Sequence, residues 1–121
     1  MITGLKLLSI CVEDQERALE FYTKKLGFEL RDDQPAGEDE RWIEVAPPGG
    51  NVIIALTKQE SPDDRVGKSV QIEFQCADVQ ATYDELVKRG VKFTAKPEEA
   101  PWGGWAAQFV DEEGNEFLLG N

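Results

Sequence analysis

The chain carries nearly the same pattern twice. Residues 7–30 read LLSICVEDQERALEFYTKKLGFEL and residues 70–93 read VQIEFQCADVQATYDELVKRGVKF. Each copy runs from an alternating apolar segment through an aspartate and a helical pattern to a glycine, then into a second apolar segment. The offset is about 64 residues, roughly half the chain. A period this long that occurs only twice is not a solenoid, which needs three or more stacked units. It predicts two fused copies of one supersecondary module.

The elements follow from local patterning. In LKLLSICV, residues 5–12, Leu8, Ile10 and Val12 form one strand face and Leu7, Ser9 and Cys11 the other. Asp14 suits a helix N-cap, and Ala18, Phe21, Tyr22 and Leu26 fall at helical spacing. Gly27 is placed to stop that helix. Residues 28–31 read as a second strand, and an acidic loop follows over 32–40. Residues 42–46 and 51–57 read as strands around the PPGG turn. The polar segment 58–68 is the expected linker.

The order then repeats: strand 70–76, a helix from Asp78 to Arg89 ended by Gly90, and strands at 91–95, 105–110 and 116–119. The expected architecture is α+β, with two tandem βαβββ modules forming a curved mixed sheet around a cleft. The module bounds are 1–57 and 69–121 within a single domain. In the second copy the strand face away from the helix carries Gln71, Glu73 and Gln75, which are not core residues. A cleft lined by such faces is the expected ligand site.

Composition narrows the function. The 121 residues suit one domain, at 40% hydrophobic and 31% charged. A net charge of −11 argues against nucleic acid, which needs clustered Lys and Arg. No apolar run reaches the ~18 residues of a membrane span, and no signal peptide is visible, so a cytoplasmic protein is expected. The chain has no histidine, so a Cys–His or Ser–His couple cannot form. Cys11 and Cys76 read as buried thiols in a reducing compartment, a disulfide or thiol nucleophile being the alternative. The glycine pairs 49–50 and 103–104 open no helix and are not phosphate loops.

The paired modules resemble the vicinal oxygen chelate superfamily, which includes glyoxalase I, extradiol dioxygenases, fosfomycin-resistance enzymes and bleomycin-resistance-type binding proteins. The resemblance rests on residues 12–30, on residues 76–93, and on FVDEEGNEFLL at 109–119. That last segment is similar to the family's F-x-D-P-D-G-N, with Glu112 where Pro is usual. It covers essentially the whole chain and implies the glyoxalase/bleomycin resistance/dioxygenase fold. In metal-dependent members, ligands from each module bind a divalent cation. Their places fall on Leu7, Ala55, Gln71 and Leu118, none of which is His or carboxylate. A one-residue slip brings Glu73 or Glu116 nearer but moves side chains to the wrong sheet face.

No metal and no cofactor are therefore expected. The expected partner is a small-molecule ligand, a drug or a metabolite, held by a metal-independent binding protein. The candidate ligand-binding residues are Leu7, Ser9, Trp42, Glu44, Ala55, Gln71, Glu73, Trp102, Trp105 and Leu118. Trp42 and Trp105 are open to a core or interface reading instead. The alternative is an enzyme (lyase, isomerase or dioxygenase-like) with an atypical metal site or with Glu73 as general base. The resemblance also implies a homodimer.

Overall fold

A computed structural model describes residues 1–59, 71–101 and 103–121. The chain divides into two units, Met1–Val66 and Gly67–Asn121. Each has the βαβββ order that the repeat predicts, and the two share one pattern of strand pairing.

In the first unit, β1 (Leu7–Val12) leads into α1 (Gln15–Glu20), which passes directly into a π-helical turn over Phe21–Lys25. Then come β2 (Glu29–Pro35), β3 (Arg41–Ala46) and β4 (Ile53–Lys58). The sheet order is β1-β4-β3-β2, with β1 parallel to β4 and the other pairs antiparallel. In the second unit, β5 (Ile72–Gln75), α2 (Val79–Lys88), β6 (Lys92–Glu99), β7 (Trp105–Val110) and β8 (Glu116–Gly120) form the sheet β5-β8-β7-β6. Its pairing repeats the first, with β5 parallel to β8.

The caps explain where the helices start and stop. Asp14 accepts from Arg17 N and Asp78 from Ala81 N, both at 3.0 Å. Gly27 and Gly90 take φ of 77° and 87°, a conformation that side chains resist and that ends each helix. The helix faces bury Ala18, Phe21 and Tyr22 in one unit and Val79 and Leu86 in the other. In the second unit they complete a core of Phe74, Phe93, Phe109 and Phe117, whose ring centroids lie 5.3–6.2 Å apart where they pair.

Three sequence expectations need correction. The first helix is not α-helical to its end: Leu26 N reaches Phe21 O at 3.1 Å, five residues back. From capping Asp to terminating Gly the first module is one residue longer than the second, and a π turn absorbs the extra residue. Strand β2 runs on to Pro35 instead of ending at Arg31, because its polar residues pair with β3 as an edge strand. Strand β6 likewise runs past Ala95 to Glu99, its register shifting twice on the way. The expected linker, 58–68, lies outside the described residues apart from Lys58, which ends β4, and the following Gln59.

Two polar features hold the first unit's helix and hairpin in place. Gln15, 7% exposed, donates from Nε2 to Arg41 O at 2.6 Å and Leu56 O at 2.8 Å, while its Oε1 accepts from Arg41 N at 3.0 Å. The β3–β4 ladder stops at Ile43 opposite Leu56, and this amide takes the backbone groups beyond its end. Arg41 also donates to Asp33 through Nε at 3.0 Å and Nη2 at 2.6 Å, and through Nη1 to Glu16. The hydrogen bonds from Arg41 hold the Asp33 carboxyl below its ordinary pKa, with the opposite charge adding to them and desolvation opposing.

Two outcomes follow. Gln15→Leu takes the side-chain partner from one buried and two part-buried backbone groups and lowers the unfolding free energy by about 2–3 kcal/mol, read from a urea titration. Because the folded pKa of Asp33 is depressed, its stabilising contribution is full above the unfolded value of about 3.9 and is lost as pH falls through the folded value. Asp33→Asn is accordingly less stable than the parent at neutral pH, and the two unfolding curves converge in acid.

Candidate functional site

The face of each sheet away from its helix presents a row of side chains set by register. In the first unit Ser9 lies opposite Ala55, Ala55 opposite Glu44, and Glu44 opposite Asp32. In the second unit Glu73 lies opposite Leu118, Leu118 opposite Gln108, and Gln108 opposite Ala95. The rows occupy matching places in the two copies of the module. Residues two apart on a strand share a face, so Leu7 joins Ser9, and Trp42 joins Glu44.

In the first row Ala55 is fully buried, Ser9 exposed, and Trp42 and Glu44 half-buried. The Trp42 indole Nε1 donates to Glu44 Oε2 at 2.6 Å, a charge-assisted bond that fixes both side chains. On the neighbouring edge strand, Gln34 Nε2 donates to both Asp32 oxygens, at 2.9 and 3.1 Å.

In the second row the Glu73 carboxylate is exposed and receives no hydrogen bond from a described residue. It lies flat over Gly120: a Cβ on that glycine would stand 2.5 Å from Glu73 Oε2. An open depression of about 290 Å³ adjoins it, lined by Glu73, Phe74, Gln75, Gly120 and Asn121. A second, of about 300 Å³, is lined by Gln71, Gln108, Glu116, Phe117 and Leu118. Both sit near the lower size of small-molecule sites.

The candidate residues divide accordingly. Leu7, Ser9, Trp42, Glu44 and Ala55 share one face of the first sheet, and Glu73 and Leu118 share one face of the second. Gln71 is exposed just before β5 and lines the same depression as Leu118. Trp105 stands apart: it alternates with Ala107 and Phe109, which are buried on the helix side, and is 44% exposed at the start of β7. Its backbone N–H is held by Asn121 Oδ1 at 2.8 Å. Trp102 lies outside the described residues.

The four places where the family carries metal ligands do not fit a divalent cation. Leu7, Ala55 and Leu118 offer no side-chain donor, and Gln71 offers one neutral amide. Among the described residues no group of three or more Cys, Asp or Glu is placed to hold a metal ion.

The sequence reading did not single out Asp32, Gln34, Gln108 or Gly120. The signal for Asp32 and Gln34 was hidden because they read as loop. Gln108 was visible as the polar residue alternating between Ala107 and Phe109. Gly120 carries no signal of its own, since its role is set by where Glu73 lies.

Comparison with known proteins agrees with the module pattern. A family model described as the Glyoxalase/Bleomycin resistance protein/Dioxygenase superfamily matches residues 4–119. The chain is 35% identical over 119 residues to the uncharacterized protein YetH of Bacillus subtilis (strain 168), with 98% of each chain covered. A crystal structure of a superfamily member from Sphaerobacter thermophilus DSM 20745 is similar at 37% identity and a TM-score of 0.87, covering 98% of this chain and 97% of that one. The crystal structure of TnmS3, an antibiotic binding protein from Streptomyces sp. CB03234, is similar at 36% identity and a TM-score of 0.86, covering 98% and 95%.

The contact between Glu73 and Gly120 is testable. Gly120→Ala displaces the flexible end of Glu73 rather than the backbone, so the unfolding free energy stays within about 1 kcal/mol of the parent. The Glu73 carboxyl resonance moves between the carbon-detected NMR spectra of parent and variant, whereas an unchanged resonance contradicts the contact.

Proposed function

The chain belongs to the Glyoxalase/Bleomycin resistance protein/Dioxygenase superfamily, and from that premise we propose that it is a metal-independent small-molecule binding protein. The observation that carries this reading is the side-chain chemistry at the family's ligand positions. Leu7, Ala55, Gln71 and Leu118 suit contact with an organic molecule and do not suit a hard or borderline cation. The helix-free face of each sheet carries further groups suited to such a ligand. Trp42 gives a flat apolar surface with its one donor already engaged, and Glu44, Glu73 and Gln108 give polar groups that orient a ligand.

The similarity to TnmS3, described as an antibiotic binding protein, supports sequestration of a drug-like or metabolite-like compound. Catalysis has less support. Ser9 has no histidine to activate it in this chain, and the Glu73 carboxylate stands without a second acid or base in its row. We include a homodimer in the proposal, as an expectation from the family resemblance. No helix among the described residues is long and apolar enough to cross a membrane.

Elemental analysis of protein purified without chelators tests the metal side of this reading, with a divalent metal content far below one per chain as the expected result. A stoichiometric metal overturns it. A thermal-shift panel of planar and amphipathic compounds tests the binding side. A true ligand at ~100 times its Kd adds about 2.7 kcal/mol and raises the Tm by several degrees. Light scattering reads the dimer.

A further inference from the structure

We propose that Trp42 and Glu44 together form a receptor for a planar organic cation on the helix-free face of β3. The inference rests on the small-molecule-binding reading and narrows it to a ligand class.

The indole and the carboxylate are two residues apart on one strand, and the 2.6 Å bond from Nε1 to Oε2 locks them as a unit. That bond engages the ring edge and one carboxylate oxygen. The other oxygen is left to act on a third party, and among the described residues no aromatic ring and no cation occupies the half-buried indole. Across the sheet Glu44 meets the single methyl of Ala55 on one side, which takes little room, and Asp32 on the other. Two carboxylates thus stand level on neighbouring strands, one of them bonded to the indole. Asp32 is steadied by the neutral amide of Gln34, which supplies no countercharge.

The nearby cations are engaged elsewhere. Arg41 bonds Asp33 and Glu16, Arg31 bonds Glu29 and Gly50 O, and Lys58 bonds Asp39 O. No described lysine or arginine bonds Glu44 or Asp32. The strands β2 and β3 therefore separate their charge. Asp33 and Arg41 alternate onto the helix side, where Arg41 reaches Glu16, while Asp32 and Glu44 stay on the other side beside an aromatic ring.

An indole face attracts a cation through its quadrupole, and a half-buried carboxylate strengthens that attraction. A planar cation satisfies both, with ring stacked on ring and its N–H or charge on Glu44. A planar anion meets two carboxylates and a chain of net charge −11.

Equilibrium dialysis of the intact protein against three planar probes tests this: proflavine, cationic at neutral pH; phenazine, neutral; and 1-anilinonaphthalene-8-sulfonate, anionic. The expected result is saturable proflavine binding that phenazine and the sulfonate match only weakly. Glu44→Gln keeps an oxygen to accept the indole N–H but removes the charge, and it weakens proflavine binding about tenfold without moving the unfolding midpoint. Trp42→Ala abolishes the binding. Glu38→Gln removes one charge from an exposed loop and leaves the binding unchanged. Equal proflavine affinity in Glu44→Gln and the parent overturns the proposal, as does equal loss in Glu38→Gln. If phenazine or the sulfonate binds at Trp42 and proflavine does not, the cation preference falls while small-molecule binding stands. If none of the three binds, this receptor is overturned, and the wider thermal-shift panel decides the binding function separately.

Discussion

The side-chain amide of Gln15 is the constraint on which the first unit's site depends. It closes the end of the β3–β4 ladder by taking both backbone groups of Arg41 and the carbonyl of Leu56. The next residue after Arg41 is Trp42, and the residue before Leu56 is Ala55. A buried amide at the start of α1 therefore fixes the strand ends from which the candidate ligand residues project. Buried backbone groups without partners are costly, so the amide selects one register of helix on sheet as well as adding stability. Arg41 extends the same control outward, binding Glu16 on the helix and Asp33 on β2 and so tying three elements at one residue.

The two modules use the same framework with different chemistry. The residue that follows the capping aspartate is Gln15 in one and Val79 in the other, and Val79 is buried by apolar packing alone. The second unit secures its register at the opposite end, in the β7–β8 turn. There Asp111 accepts from the backbone of Glu113 and Asn115 and from the Asn115 side chain, and Asn115 is fully buried. This turn sets Leu118 between Glu73 and Gln108. The matching rows then diverge: Ser9, Ala55, Glu44 and Asp32 make an acidic face beside an indole, whereas Glu73, Leu118, Gln108 and Ala95 combine one carboxylate with an amide and apolar groups. A duplicated scaffold has kept its strand order and varied both its hydrogen-bonded corners and the side chains on its helix-free faces.

Much of this was legible in particular residues. Asp14, Asp78, Gly27 and Gly90 announced the helix ends, because capping and left-handed backbone are local requirements that few residue types meet. The alternation in residues 70–76 put Glu73 on the face opposite Phe74. The π turn was legible in principle, since the extra residue between Asp14 and Gly27 has to go somewhere. The full length of β2 was not, because an edge strand of Asp, Gln and Pro has the composition of a loop and becomes a strand only by pairing with β3. Gln15 read as an ordinary polar residue in a first helical turn.

The sequence by itself determined the repeat, the order of elements, the family and the absence of His and carboxylate side chains at Leu7, Ala55, Gln71 and Leu118. These depend on residue identity and short-range spacing. Tertiary structure alone decided which residues stand beside one another: Trp42 bonded to Glu44, Asp32 brought level with Glu44, Glu73 laid over Gly120, and Trp105 set on the helix-side alternation. Those neighbours are created by strand register and by buried hydrogen bonds between residues far apart in the chain, and no local pattern encodes them.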